Sequence, residues 1–129
     1  MPIPSSTYRL QLRGDGFTLD DARGIVDYLD DLGVTHAYLS PILTATQGST
    51  HGYDVVDPTT VSAALGGRDA LIELVAELHA RGMGVIVDIV PNHVGVDDPR
   101  QNAWWWDVLG KGQASEYATF FDIDWSPEN

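Results

Sequence analysis

The stretch Met83–Val94, MGVIVDIVPNHV, begins as an unbroken apolar run and ends in small polar residues. Residues 84–87 are mostly β-branched and show no alternation of polar and apolar side chains. This pattern predicts a strand covered on both faces, as in a parallel sheet. In parallel α/β folds, chemistry gathers at the carboxyl ends of the strands. Asp88, Asn92 and His93 follow the predicted strand at that end, so we expect a functional site there.

Two further strands and two helices are predicted before this stretch. Thr7–Leu12 alternates polar and apolar residues, and Val34–Ser40 is a second candidate strand that a proline ends. Apolar residues recur at helical spacing in two windows, 19–32 and 68–81. The resulting order is strand, helix, strand, loop, helix, strand. This order requires parallel strands joined by right-handed crossovers.

The first predicted helix has sequence signals at both of its ends. Thr18 is a favourable N-cap, and Asp21 three residues later completes the pattern of a capping box. Gly33 follows the last apolar position, where helices commonly end in a left-handed residue.

Two parts of the chain lack a clear periodicity. Ile42–Leu65 is predicted to be long and irregular, and a loop of that length in a compact domain is usually functional or disordered. Near the end of the chain, Phe120–Trp125 is predicted as a further short strand. Trp104, Trp105 and Trp106 cannot all share one face of a helix or strand. At least one of them is therefore expected in the core, which leaves the others to line a cleft.

The composition is that of one small globular domain with 129 residues, 43% of them hydrophobic and 20% charged. The net charge of −12 argues against nucleic acid as a partner, since phosphate binding needs clustered Lys and Arg. The chain has no cysteine, and its His, Asp and Glu spacings match no metal motif, so neither a metal nor a cofactor is predicted. Residues 1–11 lack a signal-peptide core and no apolar run reaches membrane-spanning length, which favours a cytoplasmic protein without a membrane partner.

The polar residues after the third predicted strand each allow two interpretations. Asp88 interrupts an apolar run, so we expect it to be buried and to accept hydrogen bonds or meet a cation. It either braces the neighbouring loop or takes a direct part in catalysis, and Asn92 is the more suited to a local contact. His93 is either a loop-edge hydrogen-bond partner or a neutral donor to a ligand hydroxyl.

His51, Gly52, Tyr53 and Asp54 place four different functional groups within the long irregular segment. Gly52 allows a close turn. Tyr53 either covers the edge of the core or lays its ring against a sugar. The length of the surrounding segment favours a function for these residues.

Together these segments resemble the start of an α-amylase superfamily barrel. Residues 88–93, DIVPNH, resemble the superfamily's first signature region at the end of the third strand. Residues 51–53, HGY, resemble the loop after the second strand that carries its stacking tyrosine. Further pieces are similar to the superfamily's trehalose-forming glucosylmutases: Thr7–Leu12 (TYRLQL), Tyr38–Leu43 (YLSPIL), Gly48–Pro58 (GSTHGYDVVDP), Leu65–Gly67 (LGG), Trp104–Leu109 (WWWDVL) and Phe120–Trp125 (FFDIDW).

The resemblance implies an α/β fold that comprises the first three βα units of a (β/α)8 TIM barrel, with the start of an irregular insertion after strand three. Residues 1–129 would be the N-terminal portion of the catalytic barrel domain, because a closed barrel takes about 250 residues. The remainder of the barrel would be needed for a complete site.

The glucosylmutases rearrange the reducing-end α-1,4 bond of a maltooligosaccharide into an α,α-1,1 bond, which is a step of trehalose biosynthesis. The resemblance implies a retaining mechanism with an Asp nucleophile, a Glu acid/base and a second Asp. These carboxylates come from later strands, so no catalytic residue is expected before Asn129 and the chain alone is expected to be inactive. The rearrangement also requires that water be excluded, so that the freed glucose adds back through its anomeric hydroxyl.

Carried over by position, the resemblance assigns substrate binding to His51, Tyr53 and His93, with a maltooligosaccharide as the partner. Tyr53 would stack on the sugar ring next to the scissile bond, and His93 would hydrogen-bond the hydroxyls of that sugar. Structural support of the site is assigned to Asp54, Asp88 and Asn92.

Three other functions are weighed against this one. The first is another glycoside hydrolase of the α-amylase superfamily. The second is a non-catalytic sugar-binding module made of the same aromatic and histidine groups. The third is a signalling receiver domain, suggested by the size, the acidity and the position of Asp88. A receiver also needs an acidic pair after the first strand, where this chain has Arg13 and Gly14.

Overall fold

A computed structural model describes residues 2–128, which contain five strands and four α-helices. The strands are β1 (Thr7–Leu10), β2 (His36–Leu39), β3 (Leu43–Ala45), β4 (Val55–Val61) and β5 (Gly84–Val87). The helices are α1 (Leu19–Arg23), α2 (Val26–Leu32), α3 (Gly67–Ala80) and α4 (Ala103–Lys111). Short 3-10 turns cover Ala63–Leu65, Pro99–Gln101, Gly112–Ala114 and Ala118–Phe120. No helix within the described residues is long and apolar enough to cross a lipid bilayer.

The strands β1, β2 and β5 form a parallel sheet in that order, as the sequence predicts. Their register places Arg9, Tyr38 and Ile86 in one row across the sheet. Leu10 and Leu39 lie in the next row and belong to the hydrophobic core. Because successive residues of a strand point to opposite faces, the row of Arg9 faces away from the core.

The hydrophobic core lies between the sheet and the helices. Its members are Leu10, Leu12, Leu19, Ala22, Val26, Leu29, Ala37, Leu39, Ile42, Leu65, Ala70, Leu74, Leu78 and Met83. Helix α3 contacts both α1 and β5. Val85, Ile86 and Val87 are only half-buried, so the prediction that this strand is covered on both faces is wrong for the described residues. Helices α1, α2 and α3 pack against one face of the sheet, and the other face carries Arg9 and Tyr38.

The first predicted helix is divided into α1 and α2. Thr18 accepts a hydrogen bond from the Asp21 N–H, and the Asp21 carboxylate accepts one from Thr18, so the predicted capping box is confirmed. The predicted left-handed residue is also confirmed, since Gly33 has a φ of 83°. The break falls at Gly24, whose N–H donates to the carbonyls of Asp20 and Asp21 at 3.2 and 3.1 Å. Glycine is a poor helix former, which allows the chain to change direction there.

The segment Ile42–Leu65 is not the irregular loop that the sequence predicts. Strands β3 and β4 pair in an antiparallel arrangement with shifts in register, and a 3-10 turn follows. The hydroxyls of Thr44 and Thr60 are 2.6 Å apart across this pair. Pro58 argues against a strand in the sequence, but a proline is tolerated in a two-stranded ribbon with an unpaired edge.

The predicted strand at Phe120–Trp125 is wrong, because residue 120 ends a 3-10 turn and residues 121–125 form no regular element. The aromatic residues there pack instead on α4. Trp104 contacts the rings of Tyr117 and Phe120, with centroid distances of 6.0 and 5.1 Å. Trp105 is half-buried against Phe121, and Trp106 is 52% exposed. None of these three tryptophans is in the core.

Candidate functional site

The carboxyl ends of β1 and β5 bring Arg9 and Asp88 together with Tyr53 from the connection between β3 and β4. The Tyr53 hydroxyl donates to Asp88 Oδ2 at 2.5 Å and accepts from Arg9 Nη2 at 2.8 Å. Arg9 Nη1 also donates to Asp88 Oδ2, at 2.9 Å. Each of the three side chains therefore contacts the other two. We call this arrangement the Arg9–Tyr53–Asp88 cluster.

Arg9 is the member of this cluster that the sequence analysis missed. Its guanidinium carbon lies 4.6 Å from the ring centroid of Tyr38, its neighbour in the sheet register. A cation over an aromatic face is attracted by the ring quadrupole, so the Tyr38 ring stabilises the Arg9 guanidinium in addition to Tyr53 and Asp88. The one available signal was that Arg9 lies on the non-core face of β1. Solvent-exposed residues of a strand occupy the same positions, so this signal did not distinguish Arg9 from them.

The carboxyl group of Asp88 is ionised within the cluster. The hydrogen bond from the Tyr53 hydroxyl lowers its pKa most, and the hydrogen bond from Arg9 lowers it further. Burial lowers the pKa of Arg9, but the hydrogen bonds with Asp88 and Tyr53 outweigh this effect and raise it overall. The Asp88 side chain is 19% exposed, so it is partly buried, whereas the sequence predicts a buried carboxylate. As expected, it meets a cation.

Asp88→Asn is expected to destabilise the protein in a pH-dependent way. A carboxyl pKa below its ordinary value of about 3.9 stabilises the fold above about pH 4, and this contribution is lost as the pH falls through the lowered pKa. The variant should therefore unfold at a lower urea concentration at pH 7, with a difference that shrinks below about pH 4. Asp31→Asn, at an exposed position of α2, is the control. A difference that is constant with pH would contradict the role of the ionised carboxylate.

The main chain of Tyr53 is held by His51 and His93, the two histidines to which the resemblance assigns substrate binding. The Tyr53 N–H donates to His51 Nδ1 at 3.0 Å, and the Tyr53 carbonyl lies 3.0 Å from His93 Nε2. The rings of His51 and Tyr53 are nearly parallel, with centroids 5.9 Å apart. The structure thus brings His51, Tyr53 and His93 together, with Tyr53 at the centre.

Both ring nitrogens of His93 contact protein groups. A carbonyl oxygen can only accept, so the contact with Tyr53 requires the hydrogen on Nε2. Nδ1 lies 2.8 Å from Oδ1 of the Asn92 side-chain amide. In the neutral tautomer with its hydrogen on Nε2, Nδ1 has a lone pair, and a rotation of the Asn92 amide by about 180° presents its NH2 group to that lone pair as the donor. Asn92 thus contacts the neighbouring histidine, and both side chains are exposed.

Asp54 supports the turn before Tyr53. Its carboxylate accepts from the Ser49 hydroxyl at 2.5 Å, and that hydroxyl in turn accepts from the Gly52 N–H at 3.0 Å. His51 Nδ1 is 3.8 Å from the same carboxylate. Gly52 has a φ of 80°, and a Cβ there would lie 2.9 Å from the carbonyl oxygen of Pro41. Ser49 is a further supporting residue that the sequence analysis did not single out.

A groove of about 540 Å³ opens beside His93. Its lining is mostly apolar and aromatic, and it includes Pro91, His93, Val94, Trp104, Trp105 and Phe121. We call it the aromatic groove. Aromatic faces suit the apolar faces of sugar rings. Among the residues that the structure describes, no group of three or more His, Asp or Glu side chains is arranged to hold a metal ion.

Comparison with known proteins gives matches over most of the chain. The family described as alpha amylase, catalytic domain, matches residues 11–129. A putative maltooligosyl trehalose synthase of Mycobacterium tuberculosis (strain ATCC 25618 / H37Rv) is 68% identical over 124 residues, which is 93% of this chain and 16% of that protein. An intracellular maltogenic amylase of Bacillus subtilis (strain 168) is 41% identical over 106 residues, which is 80% of this chain and 17% of that protein.

Among solved structures, the maltooligosyltrehalose synthase from Arthrobacter ramosus is 61% identical and superposes with a TM-score of 0.91. The match covers 95% of this chain and 16% of that structure. The superposition, with the three parallel strands and their intervening helices, confirms the predicted α/β fold with a parallel sheet. The chain spans about 16% of the length of the synthases it matches.

Proposed function

Because this chain belongs to the α-amylase catalytic-domain family, we propose that it forms the substrate-binding front of a trehalose-forming glucosylmutase. The observation that carries the proposal is the difference in identity between two kinds of relative. The chain is 68% identical to a putative maltooligosyl trehalose synthase but 41% identical to a maltogenic amylase. Residues 1–129 would be the N-terminal portion of a barrel domain in the cytoplasm, and the substrate would be a maltooligosaccharide.

The proposed reaction moves one glycosidic bond without net hydrolysis. The bond between the oligosaccharide's anomeric carbon and O4 of its reducing-end glucose breaks, and a general acid protonates that O4. An enzyme carboxylate holds the glycosyl group until the anomeric hydroxyl of the released glucose attacks it and loses its proton. We propose that the carboxylates for these steps lie outside residues 1–129, and that this chain binds and orients the sugar.

Tyr53 is proposed as the surface that receives the sugar ring next to the scissile bond. Its side chain is half-buried, and its hydroxyl, N–H and carbonyl each contact a neighbouring side chain. A ring held in this way loses little conformational entropy when a sugar stacks on it. His51, which is exposed beside Tyr53, would contact the same sugar.

His93 is proposed to donate or accept one hydrogen bond with a hydroxyl of that sugar. Its contact with Tyr53 joins residues 40 apart in sequence, whereas its contact with Asn92 joins two adjacent exposed side chains. We infer that the second contact is the one exchanged for the substrate. The aromatic groove begins at His93, so the glucan chain would continue along Trp104 and Trp105.

The experiment places this chain in the Arthrobacter ramosus synthase in exchange for the matching segment, and we call this protein the chimaera. Incubated with maltopentaose, the chimaera is expected to consume reducing ends, because an α,α-1,1 bond uses the anomeric hydroxyls of both sugars. The matching segment of the Bacillus subtilis maltogenic amylase provides a control chimaera.

The second candidate function, hydrolysis by another α-amylase relative, gives the opposite result in this assay. It is favoured by the 41% identity to the maltogenic amylase. A hydrolase generates one new reducing end for each bond that it cleaves. A folded chimaera that increases the reducing ends, or leaves them unchanged, would contradict the mutase proposal.

A further inference from the structure

We propose that Arg9 is a positioning residue that fixes the ring of Tyr53 for the substrate, an inference that rests on the proposed function. Arg9 contacts the Tyr53 hydroxyl through Nη2 and the Asp88 carboxylate through Nη1. The Tyr53 hydroxyl donates its hydrogen to the Asp88 carboxylate, and one of its own lone pairs accepts the hydrogen bond from Arg9. With both bonds made, the end of the Tyr53 side chain is fixed relative to β1 and to the residue that follows β5.

The planar guanidinium is what makes this arrangement specific. Its two terminal nitrogens are held at a fixed separation and angle, so they set the distance between Asp88 and the Tyr53 hydroxyl. A lysine ammonium is a single point on a flexible stem and cannot hold two partners in a fixed geometry in the same way. Arg9 thus acts as a rigid spacer between two groups from distant parts of the chain.

Arg9 is itself well placed for this role. It lies in a strand that is paired in register with β2, and the ring of Tyr38 supports its guanidinium at 4.6 Å. Sites built on strands are held more accurately than sites on loops. The Arg9 and Asp88 side chains are 34% and 19% exposed, and ion pairs near the surface contribute little to stability. Geometry is therefore the main contribution of Arg9.

The consequence for the reaction concerns the choice between glucose and water. When water attacks the enzyme-bound glycosyl group, the bond to the enzyme carboxylate breaks, a bond to the water oxygen forms, and the water proton passes to the acid/base carboxylate. The products are a shortened oligosaccharide and free glucose. A Tyr53 ring that moves freely would hold the glycosyl group and the released glucose less accurately, and water would capture a larger share.

The test compares Arg9→Met, Tyr53→Phe and the double variant in the chimaera. Arg9→Met is expected to lower kcat for trehalose-end formation about tenfold with a much smaller change in KM, and to raise the share of free glucose among the products. If Arg9 acts through the Tyr53 hydroxyl, the double variant will equal Tyr53→Phe alone. Arg23→Met, which removes an ion pair with Glu73 between α1 and α3, is the matched control. It should change neither kcat nor the share of free glucose.

Two results would overturn the inference. One is an Arg9→Met variant with unchanged kcat and unchanged product ratio, and the other is additive losses in the double variant. Circular dichroism and the Tm establish that each variant is folded. If Arg9→Met does not fold, Arg9→Lys, which keeps the charge, is expected to fold with the raised glucose share, and a normal share would overturn the inference. An inactive unsubstituted chimaera would overturn the proposed function and this inference with it, whereas an active one with normal Arg9 variants overturns the inference alone.

Discussion

Tyr53→Ala in the chimaera is expected to lower kcat/KM for trehalose-end formation about 100-fold. The substitution removes the proposed stacking surface, and it also removes the hydroxyl that joins Arg9 to Asp88. Arg9 and Asp88 still pair directly, so the fold should survive while the site loses its geometry. The measurement is the initial rate at which reducing ends of maltopentaose disappear, at several substrate concentrations.

The matched control for this substitution is Tyr28→Ala. Tyr28 is a tyrosine of α2 that is 54% exposed and contacts Tyr8 edge to face. Its replacement should leave kcat/KM within about twofold, as surface substitutions away from a site usually do. A loss of less than threefold for Tyr53→Ala, in a variant with a normal Tm, would show that Tyr53 does not contact the substrate.

Gly52→Ala is expected to have the second largest effect, because it combines two kinds of strain. The left-handed φ of 80° costs an alanine about 1–2 kcal/mol. The new Cβ would also lie 2.9 Å from the carbonyl oxygen of Pro41, a backbone atom that cannot move alone. Overpacking of this kind adds about 1–3 kcal/mol. The turn should shift and carry Tyr53 with it, and kcat should fall at least about tenfold.

Gly48→Ala separates the two contributions to this effect. Gly48 has a φ of 81°, nearly that of Gly52, but a Cβ there would meet nothing within 4 Å. The Gly48→Ala variant should therefore show only the cost of the left-handed backbone conformation, with a small decrease in Tm and nearly normal kcat. Equal effects of the two substitutions on Tm and kcat would mean that the contact with Pro41 has no role in holding the turn.

The parallel strands and the capped helix could be predicted because their signals are local. The β-branched run at residues 84–87 and the capping residues Thr18 and Asp21 each specify structure within a few positions. The break at Gly24 was missed because one glycine in an otherwise periodic helix is usually tolerated. The strand β4 was missed because Pro58 conflicts with the usual strand pattern.

The aromatic run at residues 120–125 illustrates a different limit. Its composition favours a strand, but its rings pack on Trp104 and Trp105 of α4, and this tertiary contact decides its conformation. No local pattern reveals which of several aromatic segments will pack together. The same limit applies to the cleft that some of the three residues Trp104, Trp105 and Trp106 are expected to line. That cleft depends on residues from separate elements.

The sequence predicted which residues gather at the site better than it predicted their contacts. His51, Tyr53 and His93 do lie together, and Asp88 meets a cation as expected. That cation could not be identified, because Arg9 is 79 residues from Asp88 and its position on β1 looks like any solvated one. The roles of these residues toward a sugar stay predictions, and the variants described above test them.

The ion pair between Arg9 and Asp88 also affects the shape of the sheet. Arg9 belongs to β1 and Asp88 directly follows β5, and β2 lies between these two outer strands. Neighbouring strands are about 4.8 Å apart, so the pair draws together backbones separated by about 10 Å on the face opposite the helices. It thereby favours curvature of the sheet toward that face. The same two side chains hold the Tyr53 hydroxyl, so a substitution among the helices that flattens the sheet would displace that hydroxyl without touching Tyr53.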